Sequence, residues 1–212
     1  MNNIKVFTSF TTSNCYVVTP DNSGICFLID LPPDLDETLK YINNNNLSIG
    51  GAFVTHGHYD HSLGMKEFKS NIFMNLDDEF LARNPQDQIG KLLNGLILEQ
   101  YDGEILDIYS HPYEFLKVYS NPGHTVGSVS FEFPNLGAIF TGDFVFKESI
   151  GRTDLYSGNI ESMKDSINKI FVNFDKSFYI FPGHGEYDSV ENILNNNIVL
   201  KELLNDWTSK RN

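Results

Sequence analysis

A chain of 212 residues can bury a hydrophobic core large enough to fold alone, and we expect one domain over residues 1–212. Its formal net charge of −13 would repel nucleic acid and anionic membranes, so neither is an expected partner. The longest apolar stretch, residues 25–29, is too short to span a bilayer, and the first residues lack the pattern of a secretion signal.

The two cysteines indicate a reducing environment. Cys15 and Cys26 lie in apolar, strand-like segments without a Cys-x-x-Cys spacing. We therefore expect buried, reduced thiols rather than a disulfide or a thiolate metal site. Reduced thiols are consistent with a cytoplasmic protein, which is the expected location.

The first half of the chain begins with strands. Short apolar runs closed by turn residues predict a meander of strands over 4–10, 15–19 and 25–30, and helical apolar spacing predicts a helix over 34–42. A strand at 52–55, a helix near 61–69 and a strand near 71–75 are then expected in βαβ-like order.

The remainder is expected to begin with a helical insertion near 77–104, where strand alternation is missing and apolar residues recur at helical spacing. Strands are predicted at 105–109, 116–120, 128–133, 137–141 and 178–181, and helices at 160–172 and 188–206. Strands dominate each half and helices follow them, which predicts an α/β protein with a two-layer sheet core covered by helices.

Residues with metal-binding side chains follow several predicted strands. Five of the six histidines and two aspartates stand directly after short apolar runs or within the first histidine cluster. They are His56, His58, Asp60, His61, His124, Asp143 and His184. Side chains on loops that follow strands can converge on one edge of a sheet, so the sequence predicts a metal-dependent enzyme.

The first cluster has a spacing suited to two metal positions. In an extended loop the side chains of His56 and His58 point the same way and can bind one ion, while Asp60 and His61 can turn toward a second position. Neutral imidazoles and carboxylates suit zinc and also iron or manganese, and the absence of nearby cysteine argues against a four-thiolate structural zinc site.

Four motifs carry a resemblance to a known family. They are HGHYDH at residues 56–61, PGHT at 122–125, TGD at 141–143 and PGHG at 182–185. In this order and at these intervals they closely resemble the metallo-β-lactamase fold superfamily. The likeness is greatest to its short glyoxalase II-related hydrolases, the hydroxyacylglutathione hydrolase-related group, because Gly151-Arg152-Thr153-Asp154 follows the third motif. The resemblance implies an αββα sandwich, in which two sheets pack together with helices on the outer faces.

The same resemblance implies a ligand set. One metal would be held by His56, His58 and His124, and the second by Asp60, His61 and His184, with Asp143 bridging the two. Asp60 would also orient the catalytic hydroxide. Arg152 and Asp154 could recognise an anionic substrate group or form an ion pair that fixes the loop beneath Asp143.

The implied activity is hydrolysis of a small acyl thioester, such as S-lactoylglutathione, by a hydroxide that bridges two divalent ions. Zn²⁺ is the expected metal, with iron or manganese as alternatives. A mononuclear iron persulfide dioxygenase, or a lactonase or other ester hydrolase of the same fold, stays open. Full-length glyoxalase II enzymes have a further C-terminal helical region for glutathione, whereas this chain ends at Asn212 with three arginines, so recognition of glutathione is also open.

Overall fold

A computed structural model describes residues 3–89, 98 and 100–209. The chain forms two compact units, Met1–Pro112 and Tyr113–Asn212, and each has its own sheet and its own hydrophobic core. The single domain expected over residues 1–212 stays a prediction. Among the helices that the structure describes, none is long and apolar enough to cross a membrane.

The first unit contains a six-stranded mixed sheet. Its strands are β1 (Ile4–Thr8), β2 (Asn14–Val18), β3 (Ile25–Ile29), β4 (Ser48–Phe53), β5 (Ile72–Met74) and β6 (Leu106–Asp107), which lie side by side in that order. The first three strands are antiparallel, and β3 to β6 run parallel. The carboxyl ends of β3, β4 and β5 therefore meet at one edge, where parallel sheets usually place their binding residues.

The α-helices that the structure describes in the first unit are short. They are α1 (Asp36–Asn44), α2 (Tyr59–Ser62), α3 (Glu79–Arg83) and α4 (Pro85–Ile89). The helix predicted near 61–69 is only α2 followed by a 3₁₀ turn over Leu63–Lys66. The carbonyl oxygen of His61, which an α-helix would offer to residue 65, accepts from the Leu31 N–H at 2.8 Å instead.

The predicted insertion near 77–104 is only partly described. A 3₁₀ turn over Leu76–Asp78, α3 and α4 carry helical structure as far as Ile89. Residues 90–97 and 99 lie outside the described residues, and 100–104 form neither helix nor strand. The insertion as a whole therefore stays a prediction.

The second unit contains a five-stranded sheet. In chain order its strands are β7 (Lys117–Ser120), β8 (Val129–Phe133), β9 (Ala138–Gly142), β10 (Tyr179–Pro182) and β11 (Asp188–Ser189), arranged as β11-β10-β9-β8-β7. Only β9 and β10 pair in parallel among the described strands of this sheet. The carboxyl ends of these two strands carry Asp143 and His184 to the same edge.

The helices of the second unit are α5 (Ile160–Lys169), α6 (Val190–Asn196) and α7 (Ile198–Ser209). The single helix predicted over 188–206 is wrong, because it breaks at Asn197. The buried Asn197 amide donates to the carbonyl oxygens of Phe146 and Ser149 at 3.1 and 2.8 Å, and its oxygen accepts from the Leu200 N–H at 2.9 Å. These bonds hold residue 197 in an extended conformation and start a new helix after it.

Both cysteines lie in the core of the first unit, and burial raises the pKa of each thiol, that of Cys26 to about 11. Because the thiolate is the reactive form, we predict that native protein at pH 8 reacts with no equivalent of a chromogenic thiol reagent. Unfolded protein should react with both thiols. Rapid reaction of either thiol in native protein would contradict this burial.

Candidate metal centre

Four of the seven predicted ligands come together in the first unit, between β4 and the end of α2. We call His56, His58, Asp60 and His61 the first donor group. The ring centroid of His56 lies 4.9 Å from that of His58 and 4.3 Å from that of His61. His61 Nε2 lies 3.6 Å from Asp60 Oδ2. All three histidines are buried, and Asp60 is partly exposed.

A buried carboxylate that the sequence analysis did not select supports this group. Asp30 Oδ2 accepts from His61 Nδ1 at 2.9 Å and from the Thr55 hydroxyl at 2.9 Å, and Oδ1 accepts from the Thr55 N–H at 2.7 Å. The side chain of Asp30 is 2% exposed. A buried carboxylate with three short hydrogen bonds is strongly held.

These bonds determine which ring nitrogen carries the proton. A carboxylate can only accept, so His61 Nδ1 is the protonated nitrogen and Nε2 carries the lone pair. The Thr55 hydroxyl donates its proton to Asp30. In the 3.0 Å hydrogen bond between Thr55 Oγ1 and His56 Nδ1, the imidazole must therefore be the donor. Asp30 thereby sets the tautomers of two histidines, with Nε2 of each left as the metal-binding atom.

The backbone at Asp30 has an unusual conformation, with φ at +61°. Aspartate and asparagine tolerate this left-handed region better than other side chains with a Cβ. The sequence did contain a signal for this residue, because Asp30 directly follows the apolar run that forms β3. From the sequence alone, that run predicts only a strand over 25–30 that ends at this residue.

Two further side chains hold the loop that carries His56 and His58. Asp78 Oδ2 accepts from the Gly57 N–H at 2.9 Å. Gln88 accepts from the Tyr59 N–H at 2.9 Å and donates to the Gly57 carbonyl at 3.0 Å. A Cβ on Gly57 would lie 2.6 Å from the Asp78 carbonyl oxygen, so the close approach requires glycine.

The other three predicted ligands come together in the second unit. We call His124, Asp143 and His184 the second donor group. Asp143 Oδ2 lies 3.5 Å from His124 Nε2 and 3.6 Å from His184 Nε2, so one carboxylate oxygen stands near two imidazole nitrogens. The Gly183 N–H donates to the Gly142 carbonyl at 2.8 Å, which fixes the loops after β9 and β10 against each other.

His124 is oriented by backbone rather than by a carboxylate. Its Nδ1 lies 2.7 Å from the carbonyl oxygen of Arg152, which can only accept, so Nδ1 carries the proton and Nε2 the lone pair. Gly151 makes this approach feasible, because a Cβ there would overlap the Asp143 carbonyl oxygen and lie 3.3 Å from His124 Nδ1. Steric crowding thus explains why glycine occupies the first position of the Gly151–Asp154 motif.

Arg152 and Asp154 form a bidentate ion pair. Arg152 Nε and Nη2 donate to the two carboxylate oxygens at 2.7 and 2.8 Å, and the guanidinium lowers the pKa of Asp154 to about 2. Both side chains are largely exposed, so the pair adds little to the free energy of unfolding. A role in substrate recognition stays a prediction.

The donors fit a divalent metal such as zinc, iron or manganese. Each group offers imidazole nitrogens together with a carboxylate, and three of the five histidines have a tautomer that presents Nε2. The buried cysteines are poor candidates, because the raised pKa of each thiol keeps it protonated. The structure brings together four predicted ligands in one unit and three in the other.

The sequence matches one known family over most of its length. Residues 8–184, which include all seven donors, match the metallo-β-lactamase superfamily. The chain belongs to this superfamily. It is therefore a metal-dependent hydrolase of that superfamily, as its motifs predicted.

Individual relatives are distant but extend over most of the chain. The chain is 26% identical over 189 residues to the hydroxyacylglutathione hydrolase GloC of Haemophilus influenzae, with 84% of this chain and 87% of that protein covered. Its structure is similar to that of the BLEG-1 B3 metallo-β-lactamase, with a TM-score of 0.79 at 21% identity over 92% of this chain and 98% of that one. A di-iron-bound form of TTHA1623 gives a TM-score of 0.80 at 20% identity, with the same coverage. The predicted metallo-β-lactamase-like α/β fold is confirmed.

We predict that Asp30→Asn lowers metal affinity about 10- to 100-fold, because the amide cannot accept all three hydrogen bonds that Asp30 receives from Thr55 and His61. Asparagine tolerates the left-handed backbone, so the protein should still fold, with about 1–3 kcal/mol less stability from the lost buried bonds. Competition with a metal chelator measures the affinity, and urea unfolding measures the stability.

The matched control is Asp102→Asn, which also removes one carboxylate of the first unit but at an exposed position. It should leave metal affinity and stability unchanged within error. Equal metal affinity in Asp30→Asn and Asp102→Asn would show that Asp30 does not position the donors.

Proposed function

We propose that the two donor groups together bind two divalent metal ions. His56, His58 and His124 would hold one ion, Asp60, His61 and His184 the other, and Asp143 would bridge them. Membership of the superfamily supports this proposal, as does the tautomer of each oriented histidine. The position of Asp143 Oδ2 near two imidazole nitrogens suits a shared ligand.

Zn²⁺ is the proposed metal. Imidazole and carboxylate donors also suit iron and manganese, and one similar structure is a di-iron-bound form. Elemental analysis of the purified protein tests this choice of metal.

The proposed reaction is hydrolysis of a small acyl thioester in the manner of glyoxalase II. Its main support is that all seven donors are present in a chain similar to a hydroxyacylglutathione hydrolase over 84% of its length. When bound, a pair of divalent ions lowers the pKa of a water and polarises the carbonyl of the substrate. S-lactoylglutathione is the reference substrate.

The protein's own groups have separate roles in this proposal. Asp60, the partly exposed member of the first donor group, accepts a hydrogen bond from the attacking water and directs a lone pair toward the acyl carbon. Asp30 and the Arg152 carbonyl keep the imidazoles in one tautomer throughout. The leaving thiol has an ordinary pKa of about 8.5, so it departs without a strong acid. No side chain has to act as a covalent nucleophile.

We predict close to two metal ions per chain when the protein is purified with zinc, as measured by elemental analysis. Asp143→Ala should lower the occupancy of both positions, because a bridging ligand is shared. Asp165→Ala, which removes an exposed carboxylate on α5, is the control and should retain both ions. One ion lost and one fully retained in Asp143→Ala would contradict the bridging role.

The activity is tested by thiol release from S-lactoylglutathione and from S-lactoyl-N-acetylcysteamine, followed with a chromogenic thiol reagent. We expect release with both compounds and only background release in His58→Ala. Oxygen uptake with glutathione persulfide and no thiol release from either thioester would identify the dioxygenase alternative. Cleavage of lactones or esters without thiol release would identify the lactonase or esterase alternative.

A further inference from the structure

A groove of about 660 Å³ opens in the second unit beside two of the donors, Asp143 and His184. Phe146 and Ile150 give it an apolar part, and the Phe146 ring lies 6.2 Å from the His184 ring, edge to face. A substrate whose reacting carbonyl lies at Asp143 and His184 would place one of its substituents in this groove. The side chains of the groove therefore bear on which thioester is accepted.

Two cations line the described part of this groove, and each is bonded to a carboxylate. Lys147 Nζ lies 2.8 Å from Glu186 Oε2, and both residues line the groove. Arg152 makes its bidentate pair with Asp154. A substrate carboxylate would have to compete with a protein carboxylate for either cation.

The backbone next to both members of the Lys147–Glu186 pair follows a defined path. Lys147 lies in a turn closed by the Phe146 N–H bond to the Ser149 carbonyl at 2.9 Å, and buried Asn197 bonds both ends of that turn. Glu186 follows Gly185, whose φ of +76° sets the direction of the chain after His184. The backbone that presents the two side chains is thus fixed, while the Lys147–Glu186 contact itself lies at the protein surface.

We propose that Glu186 is a specificity-determining residue. It keeps the charge of Lys147 neutralised, and the groove therefore binds a thioester weakly when its thiol carries carboxylates. The favoured substrates are thioesters of small uncharged thiols, whose apolar part contacts Phe146 and Ile150. This inference rests on the proposed thioesterase function and names its substrate class. It makes glutathione thioesters poor substrates of the unmodified protein.

The test compares two non-hydrolysable thioethers, S-methylglutathione and S-methyl-N-acetylcysteamine, by calorimetric titration of the metal-loaded protein. The unmodified protein should bind the uncharged thioether more tightly. Glu186→Gln removes the bonded partner of Lys147 and should tighten binding of S-methylglutathione about two- to fivefold, as expected for one surface ion pair. Binding of the uncharged thioether should not change.

Two controls separate this local effect from a change in net charge. Glu161→Gln removes one negative charge of an exposed pair on α5, at 2.8 Å from Lys164 and not among the residues that line the groove, and should tighten neither thioether. The double variant Glu186→Gln, Lys147→Gln should lose the gain for S-methylglutathione. Melting curves establish that each variant is folded.

Several results would overturn the inference. They are tighter binding of S-methylglutathione by the unmodified protein, an equal gain in Glu186→Gln and Glu161→Gln, a gain for both thioethers, and a gain that persists in the double variant. Thiol release from the matched lactoyl thioesters provides the second readout, and its selectivity should shift in Glu186→Gln as binding does. Hydrolysis of neither thioester would defeat the proposed function, while the binding comparison would still report on the groove.

Discussion

The first donor group depends on the hydrogen bonds that the buried carboxylate of Asp30 accepts. An ionised group is costly to bury unless donors surround it, and here Thr55 and His61 supply three hydrogen bonds. The same bonds leave the Nε2 lone pairs of His56 and His61 available to a metal. Stabilising the buried charge and preparing the ligands are therefore a single requirement, and neither can change without the other.

In the second donor group, the acceptor that orients His124 is uncharged. A backbone carbonyl, that of Arg152, accepts from His124 Nδ1, and Gly151 provides the room for it. A neutral acceptor costs less to bury than a carboxylate, but its position depends on the path of the chain from Asp143 to Arg152. Backbone conformation, rather than side-chain charge, therefore orients the imidazole of His124.

Local patterns in the sequence predicted the candidate metal ligands and the family. Histidines and aspartates after strand ends and within the first histidine cluster predicted the seven donors, and the motifs predicted the superfamily. Asp30 shows the same pattern, but a single aspartate after a strand resembles an ordinary strand end. Asp78 and Gln88 bond to the histidine loop although they are distant from it in sequence. No motif or apolar spacing in the sequence therefore predicts these bonds. The break at Asn197 was missed for the same reason, since its partners Phe146 and Ser149 are distant in sequence.

The contact between His124 and residue 152 also bears on how such proteins diverge. The carbonyl oxygen of Arg152 accepts from the histidine, while its guanidinium donates to Asp154 at the surface. Any residue that permits the same backbone path would supply that oxygen. The side chain at 152 can therefore be exchanged by mutation at little cost to the orientation of His124, so this surface position can vary while the imidazole keeps its tautomer.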